Sequence, residues 1–439
     1  MTLPGYHDTM DISSQTSRFI AAHRNQDVRD LALSAKRVDG LDLPFALDQI
    51  AGWQTACRKL PQWAETDGIV YPPHISMEQC SSQFAAQYKA GIARRVAGAG
   101  GAMVDLTGGF GVDCSYIARG FSRAVYVERQ PHLCELAAHN FRALGLPHMD
   151  VINGDAEDWL RGVVDARAAS ADSAAVDSAT AVPIALIYLD PARRDAHGGR
   201  TYAIADCTPD VLALKDRLLA VSPHVMVKLS PMLDWRKTVA DFNGSVGEVH
   251  IVSTGNECKE LLLVLGRPAQ ANARDSVDGA GSYQCLAPHV FCVNDDQRID
   301  YDSAEYTQGL RIGGRPLPDA KRYLYEPNAS IMKAGCFDLV EERFGVTQIG
   351  PSSHLFVSEQ QIADFPGRGF AIEAVGSMNK KDTKRLLNGV KQANIAVRNF
   401  PLTAPQLRKK LKLADGGTVY LFGTTMQGGG HVLLRTSKI

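Results

Sequence analysis

Long apolar runs are missing from this 439-residue chain. No window approaches the roughly 20 uninterrupted apolar residues of a membrane-spanning helix, so no helical membrane anchor is expected. The stretch from Met1 to Ser17 is polar and lacks the apolar core of a secretory signal, which points to a cytoplasmic protein. Cysteines number nine, but all stand singly and none forms a C-x-x-C pair. That pattern offers no zinc or dithiol motif, and an odd count does not suit a full disulfide framework. No metal site is expected, and the oligomeric state stays open.

Net charge is also nearly absent, at −1, but the balance is local. From Ser377 to Lys412 there are ten Lys or Arg and one acid, Asp382, so this segment carries about +9 and the remainder about −10. A basic stripe on a near-neutral protein is the footprint of phosphate binding. Lys384, Arg385, Arg398, Arg408, Lys409, Lys410 and Lys412 are the candidate RNA-binding residues.

What is present is an alternation. Apolar strand patterns over 102–106, 124–127, 150–153, 184–189, 225–229, 249–253 and 261–265 alternate with helical ones up to the second-last strand. Repeated βα units call for an open, mostly parallel sheet with helices on both faces. The first hundred residues read as helical. Met77–Ala97 is expected as one helix, with Ser76 and Gln79 as its capping box, and Thr208-Pro209 is expected to cap the helix ending at Ala220. Residues 165–180 and 269–282, poor in core residues, read as surface insertions. The C-terminal third has another rhythm. Strands are expected over 354–358, 370–375, 395–400, 418–423 and 432–435, and helices over 329–344, 382–392 and 404–411, with Thr403 and Gln406 as a capping box. The expected layout is a helical region at 1–98, an α/β domain at 99–268, a connecting segment at 269–320 and a small α+β domain at 321–439.

The richest stretch is Val104-Asp105-Leu106-Thr107-Gly108-Gly109-Phe110-Gly111-Val112-Asp113. A strand ending in an acid, then a glycine turn, then a helix is the layout of a nucleotide-type cofactor cradle, because glycine lets backbone approach a ligand closely. Glu128 follows the second strand, 20 residues after Gly108, where an acid can accept from both hydroxyls of a ribose. Asp155 ends the third strand and is placed to accept from an adenine amino group. Asp190-Pro191 ends the fourth strand and Lys228-Leu229-Ser230-Pro231 the fifth. Ligands of open α/β sheets bind at these carboxyl ends.

Together these elements resemble the signatures of class I S-adenosylmethionine-dependent methyltransferases. More narrowly, the chain resembles a family of bacterial methyltransferases with a THUMP-like C-terminal domain. The strings that carry the likeness are Glu78-Gln79-Cys80-Ser81-Ser82, Asp190-Pro191-Ala192-Arg193-Arg194, Lys228-Leu229-Ser230-Pro231, Glu257-Cys258-Lys259-Glu260, Tyr325-Glu326-Pro327-Asn328 and Val397-Arg398-Asn399-Phe400-Pro401. The resemblance implies a Rossmann-like α/β fold, S-adenosylmethionine as cofactor and an RNA substrate, a base of tRNA or rRNA methylated by direct transfer. It implies that Asp105, Thr107, Gly108, Gly109, Gly111, Glu128, Asp155 and Ala156 bind the cofactor, and that Asp190, Pro191 and Arg193 form the catalytic end. Related base-amino methyltransferases carry a second proline and an aromatic after Asp-Pro or Asn-Pro. Ala192 and Arg193 stand there instead, so the acceptor is left as a nitrogen or an oxygen. Arg193 or Arg194 offers a guanidinium to stack on a base or hold a phosphate. A carbon acceptor would need a cysteine nucleophile, and Cys258 reads as a buried structural residue instead. A methyltransferase for a small molecule or protein, and a non-catalytic RNA-binding protein, are the competing readings.

Overall fold

A computed structural model of the chain describes residues 12–34, 38–172, 182–192, 204, 207–266, 287–304 and 322–439. They fall into two compact units, residues 1–247 with 262–285, and residues 248–261 with 286–439. Among the described residues, no helix is long and apolar enough to cross a membrane.

The first unit opens with six helices: α1 (Ser14–His23), α2 (Val28–Ser34), α3 (Leu43–Lys59), α4 (Pro61–Glu65), α5 (His74–Gln79) and α6 (Gln83–Ala97). The single helix expected over Met77–Ala97 is therefore two. Ser76 lies inside α5, which begins after Pro73, and Ser82 is the side chain that caps α6, accepting from Ala85 N. The break has a physical reason: it turns the Ser81 hydroxyl inward to a buried lysine and an aspartate.

The βα units follow: β1 (Ala102–Asp105), α7 (Val112–Ile117), β2 (Arg123–Glu128), α8 (Pro131–Ala143), β3 (Met149–Asn153), α9 (Ala156–Asp172), β4 (Ile184–Leu189), α10 (Val211–Val221), β5 (His224–Leu229), α11 (Trp235–Asp241), β6 (Val246–Thr254) and β7 (Glu257–Gly266). The strand order is β3-β2-β1-β4-β5, then β7 and β6. The first five strands run parallel. Two expectations are corrected here. The segment 165–172 continues α9, as its alanines favour helix, and Asp210 caps α10, accepting from Leu212 N and Ala213 N. Thr208 instead forms a backbone bridge with Ala192. Residues 173–181 and 269–282 lie outside the described residues.

Alternate strand residues divide between faces, as the pleat requires. Met103, Tyr126, Leu186, Tyr188 and Met226 pack against Ile92 and Ala93 of α6, Cys114 and Ile117 of α7, and Cys134, Ala137 and Phe141 of α8. The N-terminal helices use Ala56, Leu60, Trp63 and Met77 to cover Tyr116 of α7 and Leu133 and Leu136 of α8. Each large apolar side chain fully buried this way contributes roughly 1.5–3 kcal/mol. The helical region thus braces the turns that follow β1 and β2.

The second unit holds residues 248–254 of β6 and 257–261 of β7, then β8 (His289–Asn294) and β9 (Gln297–Asp302), which lie in the stretch expected as a connecting segment. Its other elements are β10 (Tyr323–Pro327), α12 (Ala329–Ala334), α13 (Phe337–Phe344), β11 (Thr347–Gln348), β12 (Phe356–Ser358), β13 (Gly367–Gly376), α14 (Lys380–Leu386), β14 (Asn394–Arg398), α15 (Ala404–Leu411), β15 (Val419–Thr425) and β16 (His431–Lys438). The helix expected over 329–344 is divided at Gly335, whose φ of 68° ends α12, and that expected over 382–392 shortens to α14. The sheet order is β11-β12-β10-β13-β16-β15-β14. Only the β14–β15 pair among these is parallel. Leu421 and Leu433 face a cluster with Leu386 of α14 and Leu407 of α15, while Phe422 and Leu434 face the opposite cluster. Both basic helices therefore lie on one face of this sheet.

Candidate active site

The site grows from the turn after β1. Gly108 is held against the Tyr126 ring so closely that an added Cβ would come within 2.1 Å of it. Gly111 caps α7 with φ at 86°, a conformation that disfavours any side chain. Gly109 has φ at 55°, and a Cβ there would find nothing nearer than 3.8 Å. Its face is open to a ligand. Its N–H donates to Glu128 Oε2 at 3.0 Å, and Gln130 N donates to Oε1 at 2.9 Å. The Tyr126 hydroxyl donates to the Gly109 carbonyl over 2.5 Å. Glu128 is thus oriented by two backbone donors at the rim of the glycine turn.

The neighbouring turns are fastened to this one. Gly154 N donates to the Glu128 carbonyl at 2.9 Å, which draws the turn after β3 toward the end of β2. Asp155 Oδ1 accepts from Glu157 N at 2.8 Å, fixing the carboxylate at the start of α9, and Ala156 beside it is buried. Asp190 N donates to Thr107 Oγ1 at 2.6 Å, joining the turn after β4 to the glycine turn. Pro191 is buried and follows directly. The structure therefore brings Asp105, Thr107, Gly108, Gly109, Gly111, Glu128, Asp155, Ala156, Asp190 and Pro191 to one edge of the sheet. Arg193 and Arg194 lie outside the described residues.

Electrostatics give the site its character. Asp105 is buried, and burial pushes its carboxyl up to about 8; the nearby carboxylates of Asp113, Asp190 and Glu128 push the same way, against the N–H of Thr107. A buried acid that resists ionisation beside other carboxylates is suited to a cation. S-adenosylmethionine carries a sulfonium and an ammonium, so this donor set fits it.

A second network was not expected from the sequence. Lys89, fully buried in α6, reaches Asp113 Oδ1 at 3.1 Å and Ser81 Oγ at 2.9 Å. Asp113 Oδ2 accepts from Ser81 Oγ at 2.9 Å and from the Tyr188 hydroxyl at 2.7 Å. Burial pushes the Asp113 carboxyl up, but Lys89, Lys228, Tyr188 and Ser81 outweigh it and hold the carboxyl below its ordinary range. Lys228, on β5, ion-pairs with Asp190 Oδ2 at 2.5 Å. One signal was available: Lys89 falls on the stripe made by Ala85, Ala86, Ile92 and Ala93, a lysine at a core position of its helix.

In the second unit, Glu326 is buried and paired with Arg368 and Arg398. Arg408 pairs with Asp415, and Arg385 with Asp382. Lys384, Lys409, Lys410 and Lys412 are exposed. A polar hollow of about 330 Å³, lined by residues including Asn256, Asn294, Asn328 and Arg368, holds none of the expected site residues. Cys258 lies on β7, and burial raises its thiol above the ordinary range. Among the described residues, no group of three His, Cys, Asp or Glu is arranged to hold a metal.

This architecture, a parallel sheet in the order 3-2-1-4-5 with glycine turn and acids at its carboxyl edge, is that of a class I methyltransferase. A solved structure described as a candidate methyltransferase from Porphyromonas gingivalis W83 is 31% identical and matches with a TM-score of 0.78, covering 99% of this chain and 100% of that one. Residues 323–366 match a ferredoxin-like domain family, and residues 367–438 a THUMP domain-like family. The chain belongs to this family of S-adenosylmethionine-dependent methyltransferases with a C-terminal THUMP-like domain. More partial likenesses include an rRNA methylase from Streptococcus thermophilus (13% identity, TM-score 0.29, 41% of this chain and 93% of that one). Another is an O-methyltransferase from Bacillus cereus (12% identity, TM-score 0.32, 57% of this chain and all of that one). No protein of curated function matches the sequence.

Proposed function

We propose that this enzyme methylates RNA. S-adenosylmethionine would bind at the glycine turn, with Asp105, Thr107, Gly108, Gly109 and Gly111 beside its methionine and ribose part, Glu128 at the ribose, and Asp155 and Ala156 at the adenine. The cofactor supplies an already activated methyl group, so the protein has mainly to align an acceptor with it. Asp190 and Pro191 stand where that acceptor would lie.

The observation that carries the RNA reading is the placement of α14 and α15 on one face of the second unit's sheet. Lys384 and Arg385 sit on the first helix, and Arg408, Lys409 and Lys410 on the second, with Lys412 just beyond. Both helices fall within the THUMP domain-like match, a domain type associated with RNA modification. Exposed lysines on adjacent helices are suited to a phosphate backbone.

Titrating RNA into the purified chain at several salt concentrations tests this. Affinity should fall steeply as salt rises, with a log–log slope of about −0.7 for each single-strand phosphate neutralised. Salt-independent binding, or none, would favour a small-molecule or protein substrate instead. Absence of S-adenosylmethionine binding by calorimetry would remove the enzymatic reading altogether.

A further inference from the structure

The acceptor end holds a cation. Leu189 of β4 and Val227 of β5 are register partners, so the next residues of the two parallel strands, Asp190 and Lys228, emerge side by side. Lys228 Nζ lies 2.5 Å from Asp190 Oδ2, with the lysine side chain 15% exposed and the aspartate 40%. Lys228 also acts on Asp113, which Lys89 holds from the buried side. The ammonium thus pairs directly with one carboxylate and acts at longer range on a second.

We propose that the acceptor atom is a hydroxyl oxygen lying beside the ion pair of Asp190 and the Lys228 ammonium and, given the RNA reading above, the 2′-hydroxyl of a ribose. The charges decide between acceptors. An amine gains positive charge as it takes a methyl group, and an adjacent ammonium opposes that. A hydroxyl gives up its one proton, and the negative charge that develops on its oxygen is stabilised by the same ammonium. One Asp190 oxygen is occupied by Lys228, which leaves Oδ1 for that single proton. An amino group would ask for more acceptors than the one oxygen left, and neither Ala192 nor Arg193 is the aromatic residue that base-amino methyltransferases carry there. The O–H bond breaks with its proton passing to Asp190 Oδ1. The oxygen pair forms the new O–CH₃ bond, and the pair of the broken methyl–sulfur bond stays on sulfur. No further reactant is needed.

The test uses the full chain, methyl-labelled S-adenosylmethionine and total RNA from a strain lacking the gene, with the product hydrolysed in alkali. A 2′-O-methyl group blocks cleavage of its own linkage, so label is expected in alkali-stable dinucleotides. Lys228→Met should slow transfer by about 100-fold or more while cofactor affinity, read by calorimetry, stays within about threefold. Lys228→Arg, which keeps the charge, should be the milder variant. Label in mononucleotides, or a Lys228→Met rate equal to wild type, would overturn the hydroxyl assignment while leaving RNA methylation standing. No label in RNA, with cofactor still bound, would instead defeat the RNA reading and this assignment with it.

Discussion

The backbone N–H of Asp190 donates to the hydroxyl of Thr107 over 2.6 Å. That hydroxyl also lies 3.4 Å from Asp105 Oδ1. A single threonine therefore fastens the acceptor turn to the cofactor turn. Thr107→Val keeps the shape and removes the hydroxyl, stranding the Asp190 N–H. We expect a stability loss of about 1–3 kcal/mol and a fall in kcat/KM of about 10–100-fold, since small misplacements of reacting groups are costly. Thr107→Ser should recover most of both. Thermal denaturation and methyl-transfer kinetics check this; a valine variant matching wild type in both would show the link to be idle.

Asp105 sets a pH dependence. Burial holds its folded-state ionisation at about 8, against about 3.9 in an unfolded chain. Between those values the folded protein binds one proton more than the unfolded chain. Stability should therefore fall as pH rises across this window, by up to about 1.4 kcal/mol per pH unit from this group, and level off above it. Asp105→Asn should flatten the slope. Urea denaturation of both proteins from about pH 6 to about pH 8 measures the difference, and parallel slopes would contradict the assignment.

Lys89 and Asp113 form a buried ion pair, and removing one partner strands the other. Lys89→Met is expected to cost about 3–5 kcal/mol. Combining it with Asp113→Asn should restore a substantial part, giving a clear coupling energy in a double-mutant cycle. Simple additivity of the two losses would mean that Ser81 and Tyr188 hold Asp113 without the lysine.

Two cations of the basic segment should behave oppositely. Arg398 is committed to the buried Glu326 at 2.8 Å, so Arg398→Gln should lower the melting temperature and scarcely change the salt dependence of RNA binding. Lys409→Gln should leave stability within about 0.5 kcal/mol and reduce the salt slope by about 0.7. Reversed outcomes would move the interface away from α15.

Periodicity made the alternating elements from β1 to β5 readable, because strands buried on both faces and helices with one apolar stripe leave distinct patterns. The capping box at Thr403 and Gln406 was readable for the same local reason, and both halves of it are present. Glu128 and Asp155 could be placed at this edge because one ends its strand and the other stands two positions beyond it. The break at residues 80–82 could not, since it follows from a contact of Ser81 with Asp113, 32 positions away. Lys228 stood in view at the end of β5, but its pairing with Asp190 depends on strand register, which only the folded sheet supplies. The strands β8 and β9 were missed because their hairpin turn at Asp295 (φ 51°) carries no glycine to announce it.

The bridge between Ala192 and Thr208 has a consequence for the acceptor turn itself. Its two hydrogen bonds, 2.8 and 3.0 Å long, close a ring of chain immediately beyond the acceptor turn. Asp190 is thus anchored on both sides, by its own N–H to Thr107 and by the bridge two residues further on, so neither end of the turn shifts alone.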